Sequence, residues 1–506
     1  MDFISHETEC KMFGYLRDIG CCITCSLRFV GTRNLESFGD PASSAEKMKY
    51  VAEGEKIMDD KNVPCITCLG ILQQGNTQKH VLENIINAVK KSDHDDPTFN
   101  TALTLPICLF LRERSVQYAL TEKFELTEVQ TGNLKLKTQN VKEIWKSTMA
   151  MHLENGMNKK MVSSPIPSPF LIEICFSHEN DTPEIKSFFR SSGKKNESQI
   201  LSRKTMENTL GCMTKEKFQA NYTIPPTRLE KFVEIEPIVC VRSSLFLGGR
   251  YAKYSRELSQ TPWFINGEKK METSVQDLIC GSMIELTKAD SVKFLSSGRE
   301  DVDVRNIHSG RPFAVELVNP KITIINDEQL EAVVRNVNES TNMVKLTTKL
   351  KFLDTSDLKR LKEGENTKTK VYRALCTFKN ASKKSINLEK LNALKDVDIV
   401  QKTPLRVLHR RPLMPRVRRI HAMRTRWLRQ DEVKKLRERN EKTSDLTNIS
   451  HIENLFVLDV KTQAGTYVKE FVHGDFGRTR PSLGDILEGE FDIVALDVTA
   501  INLDWP

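Results

Sequence analysis

One short segment of the chain combines carboxylates and guanidinium groups at a spacing that suits acid chemistry. From Gly298 to Arg305 it holds three carboxylates and two arginines in eight residues. Charged side chains are seldom buried unless they are paired, and arginines close to a carboxylate keep it ionised for work in a cleft. The spacing fits either such an acid or a salt-bridged strand end, with Asp301 and Asp303 as equivalent candidates. On a strand the two would face the same side, and we predict that Asp303 pairs with an arginine.

A second segment carries most of the chain's positive charge. Residues 402–442 contain fifteen lysines and arginines against four acidic residues, a local balance of +11, whereas the whole chain carries +9. A basic segment on a nearly neutral body indicates a polyanionic partner. Its latter half, 431–442, fits a solvated charged helix equally well. Aromatic residues alternate with basic ones at 250–256, which suits either base stacking or a solvated strand end.

Four cysteines form two Cys-x-x-Cys pairs that are far apart in the chain. The pairs are Cys22 with Cys25 and Cys65 with Cys68. Four thiolates in this arrangement can close a tetrahedral zinc site. In a reducing compartment two such pairs favour structural zinc over a redox pair. We therefore predict a zinc-binding module in which one ion joins two distant segments.

Length and composition limit the class of protein. A chain of 506 residues exceeds what one hydrophobic core supports, so two or three domains are expected. The hydrophobic content of 39% and charged content of 28% are typical of soluble globular proteins. The longest apolar run, 105–111, is far shorter than the roughly 20 residues that span a bilayer. The first residues lack the pattern of a signal peptide, so we expect an intracellular protein without a membrane segment.

Hydrophobic periodicity predicts the elements that position these residues. We expect a helix over 80–91 and a strand over 102–111. The polar stretch 178–217 reads as a loop or a disordered insertion. A capped helix begins near Thr273, and a short strand over 291–295 leads into the acidic segment.

With these motifs in view, the C-terminal half resembles the pseudouridine synthases. Residues 298–301 read Gly-Arg-Glu-Asp, where TruA-like enzymes have Gly-Arg-Thr-Asp with the catalytic aspartate. Residues 465–469 read Gly-Thr-Tyr-Val-Lys and are similar to the Gly-Thr-Tyr-Ile-Arg motif of that superfamily. Further motifs, at 310–313, 403–411 and 472–479, are similar to those of the archaeal and eukaryotic tRNA pseudouridine synthases of the Pus-ten family. That resemblance is nearly continuous over 250–506.

The resemblance implies a role for each matching residue. Asp301 matches the essential aspartate, and Lys469 matches the basic residue that holds it ionised. Lysine in place of arginine keeps the charge and loses the two-pronged guanidinium. Tyr372 matches the tyrosine that packs against the target base, Tyr467 lines the same pocket, and Arg299 helps to hold a flipped-out nucleotide. The implied reaction converts uridine to pseudouridine in the TΨC arm of tRNA, at uridine 54, uridine 55 or both.

The resemblance also implies an architecture and its partners. We expect an α+β multidomain chain with a zinc-binding module over 1–80, a THUMP-like RNA-binding domain over 81–235 and a catalytic domain over 236–506. That last domain is expected to be a mixed α/β pseudouridine synthase core on an antiparallel sheet. The expected cofactor is structural Zn²⁺, with no organic cofactor for catalysis. The expected partner of a monomeric chain is tRNA, with other structured RNA as an alternative. The expected compartment is the nucleus or cytoplasm, with the mitochondrion as a further candidate.

Three other interpretations compete with this one. A non-catalytic RNA-binding or RNA-processing factor would use the same zinc module and basic face. Asp301 and Asp303 form the Asp-x-Asp pattern of metal-dependent nucleotide-sugar transferases, but arginines enclose them and no third hard ligand cluster is visible. The Asp-Phe-Gly sequence at 475–477 spells the magnesium motif of kinases and stands without their other signatures.

Overall fold

The computed structural model describes residues 4–73, 75–162, 167–189, 202–379, 386–440 and 454–506. The chain divides into two compact units, Met1–Ser243 and Ser244–Pro506. The regions predicted over 1–80 and 81–235 both lie in the first unit and contribute to one hydrophobic core. The three-part division and its borders remain predictions. Among the described residues, no helix has the length and apolar character needed to cross a membrane.

The first unit is a small mixed sheet covered by helices. Its helices are α1 (His6–Ile19), α2 (Ile23–Phe29), α3 (Pro41–Lys47), α4 (Asn76–Ser92), α5 (Cys108–Lys123), α6 (Glu128–Lys137), α7 (Val141–Met157), α8 (Asp181–Phe189), α9 (Arg203–Cys212) and α10 (Lys215–Gln219). Its strands are β1 (Thr98–Thr104), β2 (Lys160–Met161), β3 (Phe170–Ser177), β4 (Glu234–Ile235) and β5 (Val239–Arg242). The order is β2-β1-β3-β4, with β5 also paired to β3. Its assignment as a THUMP domain remains a prediction.

Two expectations in this unit were wrong. The strand predicted over 102–111 ends at Thr104, and α5 begins at Cys108, because Pro106 cannot donate to a strand ladder but is tolerated where a helix begins. The loop predicted over 178–217 contains α8, α9 and α10. Sparse apolar residues such as Phe188, Met206 and Phe218 are buried together there. The polar composition hid that small core. Residues 190–201 lie outside the described chain.

The second unit is built on a large sheet. Its strands are β6 (Leu245–Lys253), β7 (Phe264–Ile265), β8 (Glu268–Lys269), β9 (Ser291–Ser296), β10 (Arg305–Val318), β11 (Val344–Leu346), β12 (Lys351–Phe352), β13 (Thr369–Lys379), β14 (Lys395–Gln401), β15 (Arg416–Trp427), β16 (Leu455–Gln463), β17 (Thr479–Arg480) and β18 (Glu490–Asn502). Its helices are α11 (Val275–Thr287), α12 (Asp327–Ser340), α13 (Thr355–Thr367), α14 (Glu389–Asn392), α15 (Gln430–Asn440), α16 (Val468–His473) and α17 (Leu483–Leu487). The unit is a mixed α/β structure, as expected.

One pair of neighbouring strands in the described sheet, β10 and β18, is parallel, and the predicted acidic segment lies beside this pair. The order is β11-β6-β10-β18-β13-β16-β15-β14-β17, with β9 on β10 and β12 on β6. Among the described strands of this sheet, only β10 and β18 pair in parallel, where Arg305 lies opposite Asp497 and Asn306 opposite Val498. Separate hydrophobic cores lie on the two sides of this parallel strand pair. The loop that connects β9 to β10 therefore lies where the halves of the sheet meet.

The elements that lead into this loop form as the sequence predicts. Ser274 caps α11 by accepting a hydrogen bond from the backbone N–H of Asp277 at 3.1 Å. The buried side of α11 carries Val275, Ile279 and Met283 at helical spacing. Strand β9 covers Ser291–Ser296, close to the predicted 291–295. The capped helix and the strand thus deliver the chain to the acidic segment in a fixed direction.

Candidate active site

Asp301 lies in a turn between β9 and β10, and not on a strand. The backbone N–H of Val304 donates to the carbonyl oxygen of Asp301 at 3.1 Å, and β10 begins only at Arg305. The expectation that Asp301 and Asp303 share a strand face was therefore wrong. The turn starts at Gly298, whose φ of +79° lies in the left-handed region. A Cβ there would lie 3.2 Å from Nη1 of Arg311, so glycine suits the position in two ways.

A buried lysine holds the backbone of the turn. Nζ of Lys253 donates to the carbonyl oxygens of Asp301 at 3.1 Å and Val302 at 2.7 Å. It also donates to the carbonyl oxygen of Leu258 at 3.0 Å. Burial lowers the pKa of Lys253 to about 8, although nearby carboxylates such as Glu300 oppose that shift. Three carbonyl acceptors thus satisfy an ammonium group that has no contact with water.

A buried ion pair lies next to the turn. Oε2 of Glu300 lies 2.5 Å from Nε of Arg311, and both side chains are only 1% exposed. The hydroxyl of Tyr251 donates to Oε1 of Glu300 at 2.9 Å, and Gln260 donates to that hydroxyl at 2.9 Å. Nη1 of Arg311 donates to the carbonyl oxygen of Ser297 at 2.8 Å. Glu300 therefore supports the turn from inside the protein, while its neighbour Asp301 faces outwards.

Five charged side chains, with Asp301 in the middle, are linked by successive ion pairs. Nη1 of Arg406 donates to Oδ2 of Asp301 at 2.8 Å, and Nζ of Lys469 lies 3.5 Å from the same oxygen. Lys469 lies closer to Asp303, at 2.8 and 2.7 Å from its two oxygens. Nε of Arg406 donates to Oε1 of the buried Glu470 at 2.6 Å. Burial opposes the ionisation of Asp303, but the hydrogen bonds from Lys469 bring its pKa below the ordinary value.

This arrangement differs from the sequence-based expectation in two respects. The side chain of Asp303 pairs with a lysine and not with an arginine. The closest cation to Asp301 is Arg406, which sequence reasoning did not select, and Lys469 is its second neighbour. The motif over 403–411 was the available signal. Its position in the chain could not show which carboxylate it reaches.

The other predicted residues surround the same space. Tyr372 lies on β13 and is 8% exposed, and burial raises its pKa to about 12. Tyr467 precedes α16, and its ring centroid lies 5.9 Å from the guanidinium carbon of Arg406. Gln401 holds Tyr467 in place through hydrogen bonds of 2.9 Å to its backbone N–H and its carbonyl oxygen. Arg299 is exposed at the edge. The structure thus gathers all five predicted residues of the site.

These side chains line a strongly basic cleft of about 710 Å³. Among the described residues, two acidic side chains line it, those of Glu300 and Asp301. Nine basic side chains line it: Arg299, Arg311, Lys368, Lys370, Arg406, Arg411, Arg416, Arg418 and Lys469. Such an excess of positive charge attracts a polyanion and concentrates it at the acid.

The basic side chains of segment 402–442 fall into two groups: some line the cleft, and others form ion pairs away from it. Arg418 on β15 faces the cleft and lies against Gly465, whose missing Cβ would be 3.3 Å from Nε of this arginine. The next residue, Arg419, instead forms an ion pair of 2.7 Å with Asp398 of β14. Residues 430–440 form the charged helix α15, and its described side chains, those of 430–435, do not line the cleft; residues 441–442 lie outside the described chain. Only part of the predicted basic segment therefore faces the acid.

The four predicted zinc ligands converge in the first unit. The sulfur atoms of Cys22, Cys25, Cys65 and Cys68 all lie within 4.8 Å of one another, and all four residues are buried. Sγ of Cys22 lies 3.8 Å from Sγ of Cys68. Zinc–sulfur bonds of about 2.3 Å in a tetrahedron place sulfur atoms about 3.8 Å apart, so this donor set fits Zn²⁺. Cys21 does not belong to this group of four, and its Sγ lies 3.3 Å from Oγ1 of Thr67.

The competing metal sites have less support. Within the described chain, no other group of three or more cysteine, histidine or acidic side chains converges to hold an ion. Oδ2 of Asp475 accepts a hydrogen bond from the backbone N–H of Leu405 at 3.3 Å and lies 3.6 Å from Nε of Arg478. The Asp-Phe-Gly sequence therefore positions the segment that carries Arg406.

Comparisons with known proteins show the family to which this chain belongs. Residues 246–502 match the family model "Pus10, C-terminal", and residues 65–240 match "Eukaryotic Pus10, N-terminal". The chain belongs to the Pus10 family. It is 33% identical to the tRNA pseudouridine synthase Pus10 of Xenopus laevis, over 96% of each chain. It is 34% identical to the human Pus10 over 87% of this chain and 79% of the human one.

The relationship extends to the archaeal members of the Pus10 family over part of the chain. The tRNA pseudouridine synthase Pus10 of Thermofilum pendens is 34% identical over 53% of this chain and 54% of its own. This member of the Pus10 family is a pseudouridine synthase, an isomerase. The predicted family and enzyme class are confirmed. The roles of the individual residues remain predictions.

Proposed function

We propose that this chain converts uridine to pseudouridine in the TΨC arm of tRNA, at uridine 54, uridine 55 or both, with Asp301 as the catalytic acid group. The observation that carries the proposal is the position of the Asp301 carboxylate. It lies in a cationic cleft, and both Arg406 and Lys469 lie against its Oδ2 atom. The other oxygen, Oδ1, is then the atom available for the reaction. The choice of the TΨC arm rests on the resemblance to the family.

The reaction needs a carboxylate and no organic cofactor. The glycosidic bond of the uridine breaks, the uracil turns, and a bond forms between a ring carbon and the ribose. Asp301 adds to the base, attacks the ribose or removes a proton, and each of these steps requires its ionised form. The two cations at Oδ2 lie 2.8 and 3.5 Å from that oxygen, where they fix the position of the carboxylate.

The target base must leave its stack to reach Asp301. Tyr372 offers a buried ring beside the acid, and Tyr467 offers a second aromatic wall. Arg299, at the exposed edge of the cleft, suits a contact that holds the flipped-out nucleotide. Cleft arginines such as Arg416 and Arg418 suit the flanking phosphates, which add affinity without sequence choice.

In the first unit, we propose that Cys22, Cys25, Cys65 and Cys68 hold one structural Zn²⁺. A zinc ion with four thiolate ligands has no open coordination position, so it contributes to folding and not to the reaction. Nη1 of Arg28 lies 3.7 Å from Sγ of Cys25, where its charge would partly neutralise the thiolates.

The reaction is tested with Asp301→Asn, which keeps the shape of the side chain. The wild type and the variant are incubated with unmodified tRNA without added metal or nucleotide, and pseudouridine is mapped. We expect product with the wild type, none with the variant, and similar tRNA affinity for both. Asp398→Asn, on the exposed ion pair with Arg419, is the control and should retain activity.

Substituted tRNAs then identify the target. Mapping pseudouridine on a transcript that lacks uridine 54 and on another that lacks uridine 55 shows which position is modified. Undiminished product on a third transcript that lacks both uridines would disprove the TΨC assignment. Absence of product from the wild type on every tRNA would disprove the reaction. Equal RNA binding by both proteins would then favour the non-catalytic RNA-binding factor, which the basic cleft would also serve.

A further inference from the structure

We propose that Arg406 positions the carboxylate of Asp301 for the reaction and that Glu470 holds Arg406 for this task, while Lys469 chiefly serves Asp303. This inference rests on the proposed function and adds two positioning residues to it. Arg406 acts through Asp301, and Glu470 acts through Arg406.

The guanidinium of Arg406 joins two carboxylates through different nitrogen atoms. Nη1 donates to Oδ2 of Asp301 at 2.8 Å, Nε donates to Oε1 of Glu470 at 2.6 Å, and Nη2 lies 3.4 Å from Oε2 of Glu470. The rigid fork of arginine allows these contacts at once, whereas an ammonium group is a single point of charge. The orientation of the fork relative to Glu470 therefore fixes where Nη1 meets Asp301.

The two carboxylates that contact Arg406 differ in how deeply they are buried, and this difference shows which one anchors the arginine. The side chain of Glu470 is 1% exposed, whereas that of Asp301 is 31% exposed. Burial opposes the charge of Arg406, but the hydrogen bonds that it donates to Glu470 raise its pKa above the ordinary value. The buried carboxylate is the anchor, because removing it would leave Arg406 without its strongest partners. The exposed carboxylate is the group being positioned.

The backbone around Arg406 is held by contacts outside the cleft. The N–H of Leu405 donates to Oδ2 of Asp475 at 3.3 Å, and Nη2 of Arg478 donates to the carbonyl oxygen of Thr403 at 2.6 Å. Asp475 has a φ of +47°, a backbone conformation that is uncommon outside glycine. These contacts give the Asp-Phe-Gly sequence a structural role. They hold the segment so that Arg406 reaches Asp301 from 105 residues away in the chain.

Lys469 has a different main partner. Its Nζ lies 2.7 and 2.8 Å from the oxygens of Asp303 and 3.5 Å from Asp301. Arg406 is therefore the main partner of Asp301, and Lys469 is the main partner of Asp303. Loss of the Asp303 carboxylate should affect the reaction less than loss of the Arg406 guanidinium.

The test separates the reaction step from RNA binding. Single-turnover rates at saturating tRNA and tRNA dissociation constants are measured for Arg406→Gln, Arg406→Lys, Glu470→Gln and Asp303→Asn. We expect Arg406→Gln to lower the rate about a hundredfold, the size of effect that small misplacement of a reacting group produces. Its dissociation constant should change only a few-fold. Arg406→Lys should recover part of the rate, and Asp303→Asn should lose less than Arg406→Gln.

The anchor is tested by non-additivity. Glu470→Gln should lower the rate, and the double variant Arg406→Gln/Glu470→Gln should be no slower than Arg406→Gln alone, because Glu470 acts only through the arginine. Arg419→Gln, outside the cleft, is the control. A wild-type rate for Arg406→Gln, a loss confined to binding, or additive losses in the double variant would overturn the inference.

Two further measurements keep the outcomes distinct. Equal thermal midpoints for the wild type and Arg406→Gln exclude misfolding as the cause of a slow rate. If the wild type makes no pseudouridine on any tRNA, the proposed function fails. The anchoring claim is then decided by a crystal structure of Glu470→Gln, in which Arg406 must have left Asp301. An unchanged contact between these two residues would disprove the claim.

Discussion

Lys253 donates hydrogen bonds from a fully buried ammonium group to the backbone carbonyl oxygen of Asp301, at 3.1 Å. Lys253 thus holds the main chain of Asp301, the candidate catalytic acid, while Arg406 contacts the side chain of Asp301. The two contacts come from segments on either side of Asp301 in the sequence. Together they fix both the turn and the carboxylate that it carries.

The buried ammonium of Lys253 predicts a pH-dependent contribution to stability. The charged groups that face it are Glu300, Asp301, Asp303 and Arg311. Burial lowers its pKa to about 8 from an ordinary 10.5, so the unfolded chain binds more protons between these pH values. The contribution of this group to the free energy of unfolding should therefore rise with pH from about 8 to about 10.5, by at most about 3 kcal/mol.

The measurement is urea unfolding of the wild type and Lys253→Met between pH 7 and pH 10.5. The difference in free energy of unfolding, wild type minus variant, should be smallest near pH 7 and grow with pH. Lys293→Met, which removes an exposed ammonium group on β9, is the control and should give a flat difference. A wild-type advantage that shrinks with rising pH would contradict the prediction.

Glu300→Gln should destabilise the protein strongly. The change leaves Arg311 buried without its counter-ion, and removing one partner of a buried pair costs about 3–5 kcal/mol. Thermal and urea unfolding measure this loss. Glu331→Gln removes a carboxylate from the exposed pair with Lys349 and should leave the unfolding midpoint unchanged. Equal behaviour of the two variants would show that burial of the pair does not matter.

Arg418→Gln and Arg419→Gln form a matched pair of neighbours on β15. Arg418 faces the cleft, whereas Arg419 pairs with Asp398. If Arg418 contacts a phosphate, its loss should weaken tRNA binding and reduce the slope of log K against log salt by about one. Arg419→Gln should change neither quantity. Binding measured from 50 to 200 mM salt decides the matter, and equal effects would show that the cleft does not define the RNA surface.

Cys25→Ser should remove the bound metal, whereas Cys21→Ser should keep it. Only Cys25 belongs to the group of four converging sulfur atoms, although both residues are buried. Native mass spectrometry should find one zinc ion in the wild type and in Cys21→Ser, and none in Cys25→Ser. A lower unfolding temperature is expected to accompany the loss, because bound metal stabilises the folded state. Absence of bound zinc from the purified wild-type protein would refute the site.

The sequence by itself determined which residues are candidates for the chemistry. Local spacing shows the cysteine pairs, and the acidic turn and the motif ending in Lys469 are each readable within ten residues. The capped helix α11 and strand β9 were also predictable, because caps and hydrophobic periodicity are local properties. The resemblance to the family rested on the same short motifs, and the family comparisons confirm it.

Only the tertiary structure decided how these residues are paired. Arg406 meets Asp301, and Lys469 turns mainly to Asp303, because strand pairing and the Asp475 contact bring distant segments to one turn. The division of the basic segment into cleft and ion-paired groups depends on which face of β15 lies against the site. Such choices depend on long-range packing, which spacing in the sequence does not encode. The sequence therefore identified Asp301 as the candidate acid, and the fold showed which arginine contacts its carboxylate.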